Sequence, residues 1–401
     1  MKLLSLALPA LAGCLAAQAP PQEPKPVDWK DLTRSGIPIK FYGFVRLDAY
    51  YDTARADNVV TPLRVLPENT PGTTPSSKTD DNEFFLDPRL TRLGIDIKPA
   101  PAGTTEIAGK IEMDFSSTSG TESRTNPRMR LAYADVSDGD YGVRFGQDWD
   151  VISPLYPAIN HETLMWNAGN LGDRRAQLEG RYAPKDGTTN VVASLGLTGA
   201  ITAQDLDPAT AGGQKDGWDS GMPHLQVRAG WKTDLLVEKK AAGLGVWGAI
   251  GRAEADVAIN GQTRFDTWLG GVDFEIPLTA DLTARGEAWT GEDLGDFRGG
   301  IGQTVNITTG KEIGSTGGWG ELVYKAAPKT QFHIGGTVDD PDNNDLVANN
   351  AKRNIAGYLG TVVDWDSGVR TAFDAIYWET DYVGLGIGNM VRFDLYFQYN
   401  F

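Results

Sequence analysis

The chain has 401 residues, 40 % of them apolar, with 48 glycines, a single cysteine and a formal charge of −16. That acidity argues against a nucleic-acid partner, and a lone cysteine leaves no disulfide framework within the chain. After the N-terminus no run approaches the roughly 20 apolar residues a membrane helix needs, yet the same polar average suits a membrane barrel, whose strands alternate an apolar outward face with a polar inward one.

The N-terminus reads as an export signal. Met1 and Lys2 precede the apolar run Leu3 to Leu11, then small residues follow to Ala19. A secretory signal is expected over 1–19. Ala17-Gln18-Ala19 has the small-x-small form, but Pro20 follows it, and a cut after Ala16 is an alternative. Leu11-Ala12-Gly13-Cys14 resembles a lipobox, in which Cys14 would become a lipidated first residue. Residues 20–38 are rich in proline and charge and are expected to form a periplasmic lead-in without a core. The barrel is expected over 39–401.

From Ile39 onward, segments of about ten residues alternate with period two and are separated by turn signals. In IKFYGFVRLDAYYD, Phe41, Val45, Leu47 and Ala49 fall on one face, and Lys40, Arg46 and Asp48 on the other. A long polar stretch, Thr53 to Asn82, follows. Then come RLTRLGIDIK, a tight turn, TEIAGKIEMDF, a loop over 116–126, RMRLAYADV, the turn Asp138-Gly139-Asp140, and YGVRFGQDW. A long loop runs from Asp150 to Asp173. RAQLEGRYA and NVVASLGLT follow, then a long loop rich in glycine and aspartate. The rhythm continues through HLQVRAGWK, AGLGVWGAIGR, FDTWLGGVDFEI, LTARGEAWT, GWGELVYKA, TQFHIGGTV, NIAGYLGTVVDW, RTAFDAIYW and MVRFDLYFQYNF. The total is about 16 strands. Short turns at one end and long loops at the other predict an all-β fold, a transmembrane antiparallel barrel with short periplasmic turns and long outer loops.

The final strand carries the clearest local signal. Val391, Phe393, Leu395, Phe397, Tyr399 and Phe401 form one apolar face, and Arg392, Asp394, Gln398 and Asn400 the other. A terminal aromatic on such a strand resembles the signal read by the barrel-assembly machinery, so Phe401 is the candidate assembly residue.

Four stretches, FYGFVRLDAYYD, RLTRLGIDIK, FGQDWDVISPLYP at 145–157 and FDLYFQYNF at the end, resemble the DcaP-like trimeric porins of the outer membrane. The resemblance covers residue 38 to the end. FGQDW followed by a proline-containing loop is its specific part. It implies a 16-stranded homotrimer that passes small, often anionic, solutes such as dicarboxylates. Some members carry an N-terminal coiled coil, which residues 20–38 are too short and too proline-rich to form.

Basic residues recur on the faces assigned to the lumen: Lys40, Arg46, Arg92, Lys110, Arg128, Arg130, Arg144, Arg175, Arg181, Arg228, Arg285 and Arg392. Arg at the membrane midplane on the lipid side costs ~2–4 kcal/mol, so these should point inward, where rings of Arg and Lys favour anions. The competing reading is neutralisation by Asp48, Asp96, Glu106, Glu112, Asp114, Glu179, Glu287 and Asp394 on the same faces. Arg128, Arg130 and Arg144 are expected to form a basic wall with few acidic neighbours, with Glu112 and Asp114 facing it across the opening. The loop 150–173, with Pro154, Pro157, His161 and Trp166, is expected to fold inward as a constriction. The bland alternative is a surface or trimer-contact loop.

Only three histidines exist, His161, His224 and His333, and no pair has metal-ligand spacing. The acidic run Asp339 to Asp345 lacks the Gly and Glu of a calcium loop and reads as a solvated loop, with weak divalent binding near lipopolysaccharide as the alternative. No cofactor, metal, enzymatic activity or nucleic-acid partner is expected. The expected partners are outer-membrane lipid and lipopolysaccharide, the assembly machinery, small anionic solutes and two further copies of the chain. The expected function is an outer-membrane porin. A plugged structural or adhesive barrel is the alternative, and a barrel hydrolase a more distant one.

Overall fold

The computed structural model describes residues 37–68, 81–98, 102–117, 120–121, 124–159, 163–201, 206 and 215–401. The expected signal and most of the lead-in lie outside them.

One antiparallel sheet closes on itself. Its strands are β1 (Ile39–Asp52), β2 (Glu83–Asp87 and Arg92–Ile97), β3 (Thr105–Asp114), β4 (Arg128–Asp138), β5 (Tyr141–Trp149), β6 (Arg174–Tyr182), β7 (Thr189–Gly196), β8 (His224–Val237), β9 (Lys240–Ile259) and β10 (Gln262–Pro277). They continue with β11 (Leu282–Glu292), β12 (Gly314–Ala327), β13 (Thr330–Pro341), β14 (Ala351–Asp364), β15 (Val369–Tyr382) and β16 (Gly388–Asn400). The sheet has 17 segments, and the two parts of β2 pair with successive stretches of β1, so the barrel has 16 strands.

β2 is interrupted at Pro88, which has no N–H to give to the ladder. The Thr91 hydroxyl fills the gap: it accepts from the Arg46 N–H at 3.1 Å and donates to the Arg46 carbonyl at 3.2 Å. On its other edge β1 pairs with β16, from Phe44 opposite Asn400 to Asp52 opposite Arg392. This pairing removes the free edges. It matters because an unpaired backbone group in lipid has no water to turn to.

Alternation then sorts the side chains. On β1, Phe41, Val45 and Leu47 are exposed, at 55, 57 and 42 %, whereas Arg46 and Asp48 are buried in the interior. On β16, Phe393, Leu395, Phe397 and Tyr399 are exposed, and Arg392, Asp394, Tyr396 and Gln398 are buried. Phe401 continues the outward row. Its backbone exchanges two hydrogen bonds with Gly43, at 3.1 and 3.3 Å. Its ring lies so close to Gly43 that a Cβ there would stand 2.8 Å from the ring.

Connections at one end are short: 139–140, 238–239 and 328–329, for example. At the other end lie the outer loops L1 (53–82), L2 (115–127), L3 (150–173), L4 (197–223) and L6 (293–313). L5 differs from expectation. The sequence reading ended the ninth strand at Arg252 and began the tenth at Phe265. The strands instead run on to a two-residue turn at Asn260 and Gly261, with φ of 49° and 85°. Two left-handed residues are what a type I′ hairpin turn requires. The extra length is held by a small cluster of Ala255, Phe265 and Val305, with Ile259 and Leu206 against it.

The two faces give a direct test. Leu395→Arg places a charge on the lipid side and should lower folding stability by ~2–4 kcal/mol, measured by urea titration of the barrel in lipid vesicles. Leu395→Ile should be close to neutral. Equal stability of the arginine variant would reverse the assignment of faces.

Candidate transport pathway

L3 lies inside the barrel because the wall supplies the partners its backbone lacks. The N–H groups of Val151 and Ile152 donate to Gln226 Oε1 on β8, at 2.8 and 3.3 Å. Leu155 N donates to Glu287 Oε1 on β11 at 2.8 Å, and the Ser153 hydroxyl donates to the same carboxylate. Ala158 N donates to both oxygens of Glu321 on β12, at 3.0 and 2.9 Å. On the return path the Asn167 and Gly169 carbonyls accept from Asn354 Nδ2 on β14 and Trp289 Nε1 on β11, at 2.8 and 2.7 Å. Ser153, Leu164, Met165 and Asn167 all have left-handed φ. Such strain persists only where the surroundings over-determine the backbone.

Apolar packing does the rest. Ile152 and Leu171 join Trp247, Leu269, Trp289, Leu294 and Phe297 on the side of β9 to β11. Ile159, Met165 and Ala168 join Tyr358, Ile376, Trp378 and Met390 on the side of β14 to β16. The loop therefore bridges two apolar patches of an otherwise polar wall. Pro154 and Pro157 stiffen its first half. Trp166 is buried, with the Arg298 guanidinium 4.8 Å above its ring. His161 lies outside the described residues.

Apart from Lys40, the candidate basic residues are paired. Arg128 binds Asp114 through two bonds, at 2.8 and 2.7 Å, and Arg130 spans Glu112 and Asp114, at 2.8 and 2.9 Å. Arg144 binds Asp135 at 2.9 Å and Asp148 at 2.5 Å, and Arg181 shares Asp135. The expected bare wall of Arg128, Arg130 and Arg144 is thus corrected. Glu112 and Asp114 do not face it across the opening; they sit on the adjacent strand β3. The cause is a register shift: Glu112 pairs with Leu131 and Met113 with Met129, which makes Arg130 an extra residue. Beyond such a bulge the inward parity of a strand changes, so Asp135 turns inward opposite Arg144.

Other candidates follow suit. Arg46 pairs with Asp48, Lys110 with Asp96 at 2.7 Å, Arg92 with Glu112 at 3.6 Å, Arg228 with Asp273 at 2.7 Å and Arg285 with Glu321 at 2.5 Å. Lys40 is exposed at the short-turn end of β1. Arg392 binds Asp52 and the Val59 carbonyl with its side chain fully buried. Arg175 is likewise fully buried, against Asp150 and Asp296. Neither is a pore-lining residue; both are structural in this fold, because they hold loops to the wall.

A cavity of about 450 Å³ opens at the outer mouth, above the paired wall. Arg89, Arg128 and Arg298 line it from the break in β2, from β4 and from L6, together with Asp57, Trp166, Phe85 and Asn58. Arg89 binds Asp87 at 2.8 Å, and Arg298 binds Asp173 at 2.9 and 2.7 Å. The three partner carboxylates, Asp87, Asp114 and Asp173, are buried. The guanidinium groups therefore face the cavity, which the Asp57 carboxylate lines beside them. Burial alone would raise the Asp173 carboxyl, but Arg298 and Arg174 beside it hold it below the usual aspartate range. Arg298 escaped the sequence reading because it sits in a loop, where no alternation assigns a face; Arg89 was read as the start of the strand RLTRLGIDIK but lies in the break between Asp87 and Arg92. Among the described histidines, His224 contacts Arg175 and stacks on Phe297, and His333 binds Asp374 at 2.8 Å.

No family model and no curated protein matches the sequence. Solved structures do match. The DcaP channel of Acinetobacter baumannii superposes with a TM-score of 0.75 at 17 % identity, over 92 % of this chain and 99 % of that one. The anion-selective porin of Comamonas acidovorans matches with 0.58 at 12 % identity, over 91 and 100 %. The trimer form of OmpT from Vibrio cholerae matches with 0.57 at 14 % identity, over 91 and 99 %. The architecture expected from the sequence and these matches agree: the chain has the 16-stranded β-barrel fold of the outer-membrane porin channels.

Proposed function

We propose that the protein is an outer-membrane porin, a homotrimer that lets small polar solutes diffuse passively and favours anions such as dicarboxylates. The observation that carries the preference is the outer cavity lined by Arg89, Arg128 and Arg298. An anion arriving there meets three guanidinium groups whose own carboxylates are turned away into the wall. Attraction of this kind acts over about 8 Å at physiological salt, which is enough to draw a small solute into the mouth. Each of these cations already has a close carboxylate, at 2.7–2.8 Å, so the anion is not held and moves on. Trimeric and anion-selective barrels are both represented among the structures of the same fold, which supports the reading.

A second reading has a specific observation in its favour. L3 is wedged between two apolar patches and fills that part of the lumen, as a plug would. A planar bilayer separates the two. The porin reading expects stepwise conductance from the purified protein; a plugged barrel stays silent.

Two outcomes follow for the open channel. In a potassium chloride gradient the reversal potential should report chloride over potassium. Arg89→Gln combined with Arg128→Gln should shift it toward zero, and high salt should weaken the difference. Native cation selectivity, or no shift in the variant, would sink the anion preference. Deleting 155–168 should raise unitary conductance while the barrel stays folded, as judged by its heat-modifiable mobility in gels. Unchanged conductance would mean that L3 does not limit the opening.

A further inference from the structure

We propose that Arg175 is the positioning residue that locks L3, L4 and L6 into one unit and so sets the width of the channel, without itself meeting solute. The proposal rests on the porin reading. Arg175 is the second residue of β6, and its side chain has no exposure. All three guanidinium nitrogens are used. Nε and Nη2 donate to Asp150, the first residue of L3, at 2.5 and 2.9 Å. Nη1 donates to Asp296 Oδ2 in L6 at 2.8 Å and to the Leu197 carbonyl at the start of L4 at 3.0 Å, while Nη2 reaches the Asp296 carbonyl at 2.6 Å. Asp296 in turn collects the N–H groups of Gly199 and Ile201 in L4, at 2.8 and 2.7 Å.

The shape of the group is what the site uses. The planar fork serves a carboxylate, a second carboxylate and two carbonyls at once, which the compact ammonium of lysine cannot do. Its Cζ lies 4.5 Å from the centroid of the Phe297 ring. A Cβ on Gly196 would stand 2.7 Å from Arg175 Cδ, so the glycine leaves room for the side chain.

The link to the channel runs through L6. Gly172 and Asn167, in L3, donate to the Phe297 and Arg298 carbonyls, both at 2.8 Å. Arg298 and Trp166 line the outer cavity. Releasing Asp296 therefore frees L6, and with it the seat of L3 and one of the three cavity guanidinium groups.

The test is single-channel recording on Arg175→Met, Arg175→Lys and Asp296→Asn, each first shown to be a folded barrel by heat-modifiable mobility. Arg175→Met should give a roughly two-fold higher conductance, as a wider opening passes more ions, and several levels in place of one. Asp296→Asn should move in the same direction, and the double variant should add little to either. Arg175→Lys should recover only part of the native level. Native conductance in a folded Arg175→Met channel overturns the proposal; if that variant does not fold, native conductance in Asp296→Asn overturns it. Hydrogen exchange reads the latch separately from transport. In Asp296→Asn the amides of Gly199, Ile201, Asn167 and Gly172 should lose protection together. Loss confined to Gly199 and Ile201 would refute the coupling. Shared loss in Asp296→Asn alongside a native protein that never conducts would contradict the porin reading instead.

Discussion

The closure between β1 and β16 is the constraint on which the rest depends. A backbone donor or acceptor left unpaired in hydrocarbon has no substitute partner, so the sheet must join its own ends. Once Phe44 to Asp52 pair with Asn400 to Arg392, every side chain is committed to one of two environments. Outward positions take Phe, Leu, Val and Tyr. Inward positions become the only place for charge. Even the break at Pro88 respects the rule, because the Thr91 hydroxyl occupies both backbone groups of Arg46 that face it.

Putting charge on the inward face creates a second problem, which pairing solves. Arg128 and Arg130 with Glu112 and Asp114, Arg144 and Arg181 with Asp135 and Asp148, and Arg392 on Asp52 are local pairings of opposite charge. Replacing either partner alone would leave a buried charge, which is the expensive outcome for such pairs. The field felt by a solute is therefore set less by how many arginines face inward than by where the carboxylates lie relative to them. At the outer mouth Asp87, Asp114 and Asp173 are buried behind Arg89, Arg128 and Arg298, and Asp57 lines the cavity beside them.

The strands were legible because alternation is a long-range regularity with a physical cause. The final strand and β1 show it residue by residue. Legibility failed where the regularity is broken or absent. The bulge at Arg130 changes parity within β4, so face assignments carried through that strand missed Asp135 as the partner of Arg144. The Asn260-Gly261 turn signal was present, but the alternation of the flanking residues is weak. Inward tryptophans such as Trp247 and Trp289 contradict a polar lumen until L3 is seen to cover them. Asp296 and Arg298 sit in a segment without periodicity, and three-dimensional contact alone identifies them.

The central claim is that the space left by L3 is a passage and that it favours anions. Swelling of vesicles that contain the purified protein, in isotonic solutions of different solutes, tests both parts at once. The account predicts rapid swelling with the potassium salt of a small dicarboxylate, made permeant to potassium by an ionophore, and slower swelling with a neutral solute of the same size. Vesicles that do not swell with either would contradict the passage, and faster entry of the neutral solute would contradict the role assigned to the arginines at the mouth.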